Sequence, residues 1–243
     1  MSGALSDPRG IPPVIEVDEV SVVLGGRTIL ERISLTVTER RLGVIGANGS
    51  GKSTLARVIG GLTRPTAGRA LVTGVDPSRD GRTARARIGF TFADPDAQIV
   101  MPTVREDVDF SLRRSGLDKT ERAERVEAAL ERFGLSALSD SPAHRLSSGE
   151  KQLLALASSL VRRPLLLICD EPTTLLDLRN AREMAALLET LTVSVVIVSH
   201  DLDLVGSCER VIRLDDGVLT DDGPATEVIE RYRHDMASLR WSR

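Results

Sequence analysis

The sequence lacks several features that mark particular protein classes. Its two cysteines, Cys169 and Cys208, have no metal-binding spacing, so we expect a reducing cytosol as its compartment. No run approaches the ~20 apolar residues of a membrane helix. Residues 1–13 have no apolar core, so we expect a loose leader there and no signal peptide. The net charge of −3 argues against a broad attraction to nucleic acid, and 243 residues leave room for one large or two small domains.

A glycine-rich run is the clearest motif. It follows an apolar strand at residues 42–45, precedes a helix-compatible segment that starts at Leu55, and matches G-x-x-x-x-G-K-[ST]. Glycines let the backbone N–H groups wrap a polyphosphate, Lys52 can reach its β- and γ-phosphates, and the Ser53 hydroxyl can ligate Mg²⁺. A glycine-rich turn is the plain alternative, but the flanking strand and helix favour nucleotide binding. The candidate nucleotide-binding residues are Gly46, Asn48, Gly49, Ser50, Gly51, Lys52, Ser53 and Thr54.

An acidic pair follows a second apolar run, residues 165–169, which is typical of a parallel strand buried on both faces. Asp170 would hold Mg²⁺ directly or through water, and Glu171 would polarise the water that attacks the γ-phosphate. An acidic turn after a core strand is the alternative. Two adjacent carboxylates in a chain that already has a phosphate loop favour catalysis.

Three further motifs occur in order along the chain. Residues 146–152 read L-S-S-G-E-K-Q, residues 175–177 read L-L-D, and residues 198–201 read V-S-H-D. They resemble the signature, the D-loop and the switch histidine of ATP-binding cassette (ABC) ATPases, and the whole resemblance covers about residues 15–228. It implies an α/β fold, an ABC-type P-loop nucleotide-binding domain with an N-terminal antiparallel β region, a parallel-sheet core and an inserted helical subdomain.

The expected layout combines this resemblance with local patterns. The ABC ATPase domain covers residues 14–232, with the helical subdomain at about 95–160, and a polar tail covers 233–243. A capping box of Asp118 and Glu121 predicts a helix start. The predicted strands include 15–24, 33–37, 69–73, 88–92 and 193–198, the predicted helices include 178–191 and 225–232, and the predicted buried stripe is Ala123, Val126, Leu130 and Phe133.

Two passages narrow the resemblance. Residues 94–104 resemble a pattern of the energy-coupling-factor (ECF) transporter ATPases, which drive uptake of vitamins and metal ions, and residues 39–46 resemble the biotin-transport member. The resemblance implies a cytoplasmic ATPase on the inner face of the membrane that uses ATP and Mg²⁺ to energise such uptake, with biotin the favoured solute. The implied partners are a second ATPase subunit (a homodimer is expected), a transmembrane coupling subunit and a substrate-binding membrane subunit, without nucleic acid.

The resemblance also assigns roles to single residues. Ser147 and Gly149 would contact the γ-phosphate of ATP bound to the second subunit, and Asp177 would help to align the two subunits. His200 would contact the γ-phosphate in its own subunit and orient the water. Residues 94–109 would present an acidic groove to the membrane partner, with a solvated acidic loop as the alternative. The acidic residues of that segment are Asp94, Asp96, Glu106, Asp107 and Asp109.

The sequence departs from the family pattern at three places. Leu24 stands where an aromatic residue stacks on adenine, and Ala93 stands where the Q-loop glutamine is expected. The signature has Ser148 and Glu150 in place of glycine and glutamine. The departure at Ala93 is the most serious, because its methyl group cannot ligate Mg²⁺ or bond to water. Gln98 is a second glutamine of the pattern and is expected to face the partner. These departures leave a second function open: a regulatory or soluble, non-transport ABC nucleotide-binding protein with low turnover.

Overall fold

The computed structural model describes residues 14–238, which divide into two compact units. We call residues 14–85 and 194–238 the loop unit, because they include the phosphate loop. Residues 86–193 form the signature unit, which includes the signature motif. No helix within residues 14–238 is long and apolar enough to span a membrane. The predicted leader, residues 1–13, lies outside the described residues.

The loop unit begins with a three-stranded antiparallel sheet, which confirms the predicted N-terminal β region. Its strands are β1 (Ile15–Leu24), β2 (Arg27–Val37) and β4 (Ala67–Val72), in the order β2-β1-β4. β1 and β2 form a tight hairpin because Gly25 and Gly26, with φ of 56° and 79°, adopt the left-handed turn that two-residue hairpins favour.

A second sheet of the loop unit leads into the phosphate loop. Its strands are β3 (Arg41–Ile45), β7 (Ser194–Val198), β8 (Arg210–Asp215) and β9 (Val218–Pro224). β3 lies between β7 and β8 and is parallel to both, whereas β9 pairs antiparallel with β8. β7 is buried along its whole length, as expected of a parallel strand covered on both faces. The helices are α1 (Lys52–Ile59), α7 (Leu202–Val205) and α8 (Ala225–Ser238), with α2 (Gly81–Arg87) at the unit boundary.

The signature unit pairs the parallel strands β5 (Ile88–Thr91) and β6 (Leu166–Asp170). Its helices are α3 (Val104–Ser111), α4 (Lys119–Arg132), α5 (Ser148–Leu160) and α6 (Leu178–Thr190). The side chains of Thr103, Asp118 and Ser147 cap α3, α4 and α5, each in a capping box. α3 packs against both α4 and α5.

The signature unit confirms one helix prediction and corrects another. Asp118 and Glu121 form the predicted box at the start of α4. Ala123, however, is exposed, and the buried face of this helix starts one turn later. Its members are Val126, Ala129, Leu130 and Phe133.

Two predictions about the extent of elements in the loop unit are wrong, and one hairpin was not predicted. β2 starts at Arg27 and not at residue 33, because its pairing with β1 continues up to the glycine turn. α8 continues past Tyr232 to Ser238, because Arg213 pairs with Asp235 and stacks on the Tyr232 ring. The β8–β9 hairpin is missing from the predictions, although its Asp216-Gly217 turn is a recognised hairpin signal.

Candidate active site

Glycine determines the shape of the phosphate loop between β3 and α1. Gly46 has φ of 141°, and a Cβ atom there would lie 2.0 Å from the backbone oxygen of Leu214. Gly51 has φ of 100°, and a Cβ atom there would lie 2.8 Å from the backbone oxygen of Ile29. A side chain at either position meets rigid backbone, so only glycine permits this bend.

The phosphate loop and the start of α1 carry several hydrogen-bond donors. Lys52 is 6% exposed, and its Nζ donates to the backbone oxygens of Gly46 and Ala47, both at 2.9 Å. Gly51, the N-cap of α1, has no side chain to cap the first-turn N–H groups, so a bound anion is their natural acceptor. Within residues 14–238, the buried Ser50 Oγ makes no hydrogen bond. An ammonium, a helix N-terminus and a spare hydroxyl fit the phosphates of ATP.

His200 lies at the same edge of this sheet as the phosphate loop. β7 runs parallel to β3 with Val198 opposite Val44, so both strands end at one edge. The fully buried Ser199 holds the chain there, because its N–H donates to the oxygen of Val44 at 3.2 Å and its Oγ accepts from the N–H of Asp201 at 3.0 Å. His200 itself is exposed beyond the strand. An imidazole in this position is open to a bound nucleotide.

Leu24 ends β1 directly before the glycine turn, as predicted. It is 52% exposed. An exposed apolar side chain at this turn is compatible with contact to adenine. That contact stays a prediction.

The acidic pair of the signature unit occupies two different environments. Asp170 is 2% exposed at the end of β6, whereas Glu171 has φ of 53°, a left-handed conformation that costs a non-glycine residue roughly 1–2 kcal/mol. Thr174 stabilises this bend. Its Oγ1 donates to Oε2 of Glu171 at 3.0 Å and its N–H donates to the Glu171 oxygen at 3.3 Å. Sequence reasoning missed Thr174, although a hydroxyl three residues after the carboxylate was a readable signal.

A preformed metal cage is absent from the described residues. Within residues 14–238, no group of three or more His, Cys, Asp or Glu side chains could hold a metal ion. Mg²⁺ commonly binds through one or two carboxylates together with phosphate oxygens and water. The buried carboxylate of Asp170 suits that mode of binding.

The signature and the D-loop meet within the signature unit, and Asn180 joins them. Asp177 caps α6 by accepting from the N–H of Asn180 at 2.8 Å, and Oδ2 of Asp177 accepts from Nδ2 of Asn180 at 3.1 Å. A Cβ atom on Gly149 would lie 3.3 Å from Cγ of Asn180, so α5 approaches α6 closely at this point. Leu175 and Leu178 are exposed nearby in sequence, at 51% and 70%. Sequence reasoning missed Asn180, whose signal was its capping distance from Asp177.

The glutamines near Ala93 turn inward. Nε2 of Gln98 donates to the oxygen of Ala155 and to Oγ of Ser159, both at 3.1 Å, so its amide bonds within the unit. Gln152 is 1% exposed, and its Nε2 donates to the backbone oxygen of Ala93 at 3.3 Å. Two amides therefore hold this segment against α5, and neither replaces the missing side chain of Ala93.

The carboxylates of the predicted acidic groove have hydrogen-bond or ion-pair partners inside the signature unit. Asp107 is 3% exposed; its Oδ1 accepts from the N–H groups of Val100 and Met101, and its Oδ2 accepts from the Ser158 hydroxyl. The other carboxylates also have partners. Asp94 caps the turn at Asp96, Asp96 pairs with Lys151, Glu106 closes a capping box with Thr103, and Asp109 pairs with Arg122. Asp107 is thus buried in the fold, whereas Asp94, Asp96 and Glu106 stay exposed. Contact of this segment with a membrane partner stays a prediction.

Two protein comparisons agree with the motifs. A family model described as ABC transporter matches residues 30–174. The protein named biotin transport ATP-binding protein BioM, from Rhizobium etli, is 46% identical over 90% of this chain and 97% of its own length. The protein named energy-coupling factor transporter ATP-binding protein EcfA1, from Lacticaseibacillus paracasei, is 37% identical over 82% of this chain and 72% of its own length.

A solved structure agrees as well. The structure of cbiO1 from Clostridium perfringens, described as part of the ABC transporter complex cbiONQ, has a TM-score of 0.80. It is 33% identical and covers 94% of this chain and 96% of its own. These likenesses confirm the predicted resemblance and the predicted fold class. The chain therefore belongs to the ABC transporter family, as an ATPase subunit that binds and hydrolyses ATP.

Proposed function

We propose that this chain energises the uptake of a vitamin or metal ion, with biotin the favoured solute, through an ECF-type ABC transporter. The likeness to the BioM protein over 90% of the chain carries this proposal. The likeness to EcfA1 and the ECF-like residues 94–104 support it. The ATPase domain is proposed to cover residues 14–232, with the helical subdomain at about 95–160.

Within one subunit, we assign the nucleotide chemistry to five side chains. Lys52 binds the β- and γ-phosphates, and Ser53 and Asp170 hold Mg²⁺, which supplies charge neutralisation when bound. Glu171 accepts a proton from the attacking water, held in place by Thr174. His200 orients that water at the γ-phosphate. The remaining proposed nucleotide contacts are Leu24 at adenine and Gly46, Asn48, Gly49, Ser50, Gly51 and Thr54 at the phosphates.

We further propose that two copies of the chain pair around two ATP molecules. Ser147 and Gly149 of one copy bind the γ-phosphate held by the phosphate loop of the other, and Asp177 aligns the two. The exposed Leu175 and Leu178 are compatible with this assignment, because a partner that covered them would remove their apolar surface from water.

The proposed partners in the membrane are a coupling subunit and a substrate-binding subunit, with this chain on the inner face of the membrane. Val100, which is 62% exposed, and Phe110, which is 43% exposed, are the side chains we assign to the coupling contact. Ala93 favours a second candidate function, a regulatory ABC nucleotide-binding protein with low turnover. The two candidates differ in whether membrane subunits raise ATP hydrolysis.

Labelled-biotin uptake by cells of the source organism that lack this chain tests the proposal. Wild type should restore uptake, and Lys52→Ala should not, because the ammonium binds the phosphates. Arg57→Ala, on the same helix and outside the phosphate contacts, serves as the control and should restore uptake. Wild type that restores no biotin uptake would reject biotin as the solute. Phosphate release by the purified chain that membrane subunits leave unchanged would favour the regulatory candidate.

A further inference from the structure

The carboxylate of Glu150 accepts hydrogen bonds from Ser147, the first serine of the signature motif. Its Oε2 accepts from the backbone N–H of Ser147 at 2.7 Å and from the Ser147 hydroxyl, also at 2.7 Å. Ser147 in turn caps α5 by accepting from the Glu150 N–H at 3.4 Å. One carboxylate oxygen therefore takes both donors of the residue that is assigned to the γ-phosphate.

This arrangement is chemically a replacement for an anion. The N-terminus of a helix favours negative charge, and a carboxylate oxygen that accepts an N–H and an O–H there occupies the role of a phosphate oxygen. The hydrogen bond from the Ser147 hydroxyl and then that from its N–H lower the pKa of Glu150. The side chain therefore carries its full charge in neutral solution.

We propose that Glu150 competes with the γ-phosphate for the donors of Ser147 and so sets how tightly ATP joins two subunits. To bind the phosphate, Ser147 must release Glu150, and a negative side chain then stays beside a negative ligand. A glutamine would satisfy the same helix end without that charge. The proposal rests on the proposed function, because Ser147 has this role only if it binds the ATP of a second subunit.

The chain contains a matched control for the capping geometry. Thr103 and Glu106 form the same box at the start of α3, with the hydroxyl donating to Oε2 of Glu106 at 2.8 Å. No nucleotide role is assigned to Thr103. Changing Glu106 therefore reports what the loss of a capping charge does to the fold alone.

The test is a comparison of ATP-driven pairing in the Glu171→Gln background, which holds ATP without turnover. The dimer dissociation constant at saturating MgATP is measured by analytical ultracentrifugation with and without Glu150→Gln. We expect the added substitution to tighten pairing about tenfold for each signature, and so roughly 100-fold for a symmetric pair, because it removes one like-charge contact at each site. Glu106→Gln in the same background should leave pairing unchanged. Binding of ATP to the monomer should change less than about twofold, because Glu150 acts only on a nucleotide held by another subunit.

Each alternative result has a distinct meaning. If ATP drives dimer formation but Glu150→Gln leaves the dimer equally stable or weakens it, the proposed competition is overturned. Equal tightening by Glu106→Gln would also overturn it, because the effect would then be general to capping charges. If the Glu171→Gln protein forms no dimer with ATP, either with or without Glu150→Gln, the proposed pairing of two copies is rejected. Circular dichroism of each variant confirms the fold, which glutamine preserves because it also closes a capping box.

Discussion

The loop unit and the signature unit hold their candidate site residues in different ways. In the loop unit the backbone dominates: Gly46 and Gly51 create the bend, and the first-turn N–H groups of α1 have no side-chain cap. In the signature unit, side chains dominate, and carboxylates such as Glu150 and Asp177 serve as helix caps next to their proposed ligands. A backbone site tolerates few residue types and gives a strict motif. A side-chain site can exchange one partner for another, so its function depends on contacts that a motif does not encode.

The largest expected effect lies in the signature unit. Glu171→Gln keeps the size of the side chain but removes the proton acceptor, which should lower turnover by about 10²–10⁴-fold with ATP affinity nearly unchanged. Steady-state phosphate release and an ATP titration measure the two quantities. Glu183→Gln is the control, since that exposed carboxylate pairs only with Arg179 among its described contacts. Near-normal turnover of Glu171→Gln would remove this residue from its role.

A second prediction concerns the phosphate loop in the loop unit. Gly46→Ala should destabilise the protein by about 3–5 kcal/mol, because the added Cβ would lie 2.0 Å from the Leu214 oxygen at φ of 141°. Gly49→Ala is the matched control. Its φ of 81° is also left-handed but nothing lies within 4 Å of the added Cβ, so about 1–2 kcal/mol is expected. Urea unfolding measures the free energy of unfolding of both variants. Equal losses would mean that the left-handed backbone conformation, and not the close contact with Leu214, requires glycine at residue 46.

A third prediction tests whether the acidic segment is structural. Asp107→Ala should cost about 2–4 kcal/mol, because it removes the acceptor of the buried Ser158 hydroxyl and of the N–H groups of Val100 and Met101. Asp109→Ala should cost at most about 1 kcal/mol, since its pair with Arg122 is only partly buried. Urea unfolding measures both. Similar losses for the two variants would contradict the distinction drawn between these carboxylates.

The difference between local residue patterns and long-range contacts explains which features could be predicted from the sequence. The phosphate loop, the strand before Asp170 and the cap at Asp118 were predictable, because each depends on local residue types. The inward turn of Gln98 and the burial of Asp107 were not, because both depend on α5, which lies far along the chain.

Two further errors have the same origin in packing. Ala123 is apolar and correctly spaced, yet no neighbour covers it enough to bury it. The last turns of α8 were predicted as tail because their sequence is polar. Their stability comes from a pairing of Asp235 with Arg213 on a strand that the predictions lacked.

The smallest expected effect concerns Ala93, the position of the signature unit at which the family pattern has a glutamine. Ala93 is half-buried, and its carbonyl accepts from Gln152, so the backbone here is held even without a glutamine side chain. Its methyl group offers no oxygen to a bound Mg²⁺, so a water would have to serve in place of the glutamine oxygen. The attacking water would then be oriented less well.

Ala93→Gln should therefore raise turnover about 3–10-fold at saturating MgATP, with ATP affinity within about twofold of wild type, because Lys52 remains to bind the phosphates. Ala97→Gln places the same amide at an exposed position of the same segment and should leave turnover unchanged. Phosphate release is measured for the purified protein and for the complex with its membrane subunits. A rise confined to the complex would mean that the amide acts through the partner. Equal rates of wild type and Ala93→Gln in both settings would mean that a glutamine at this position does not act on the attacking water.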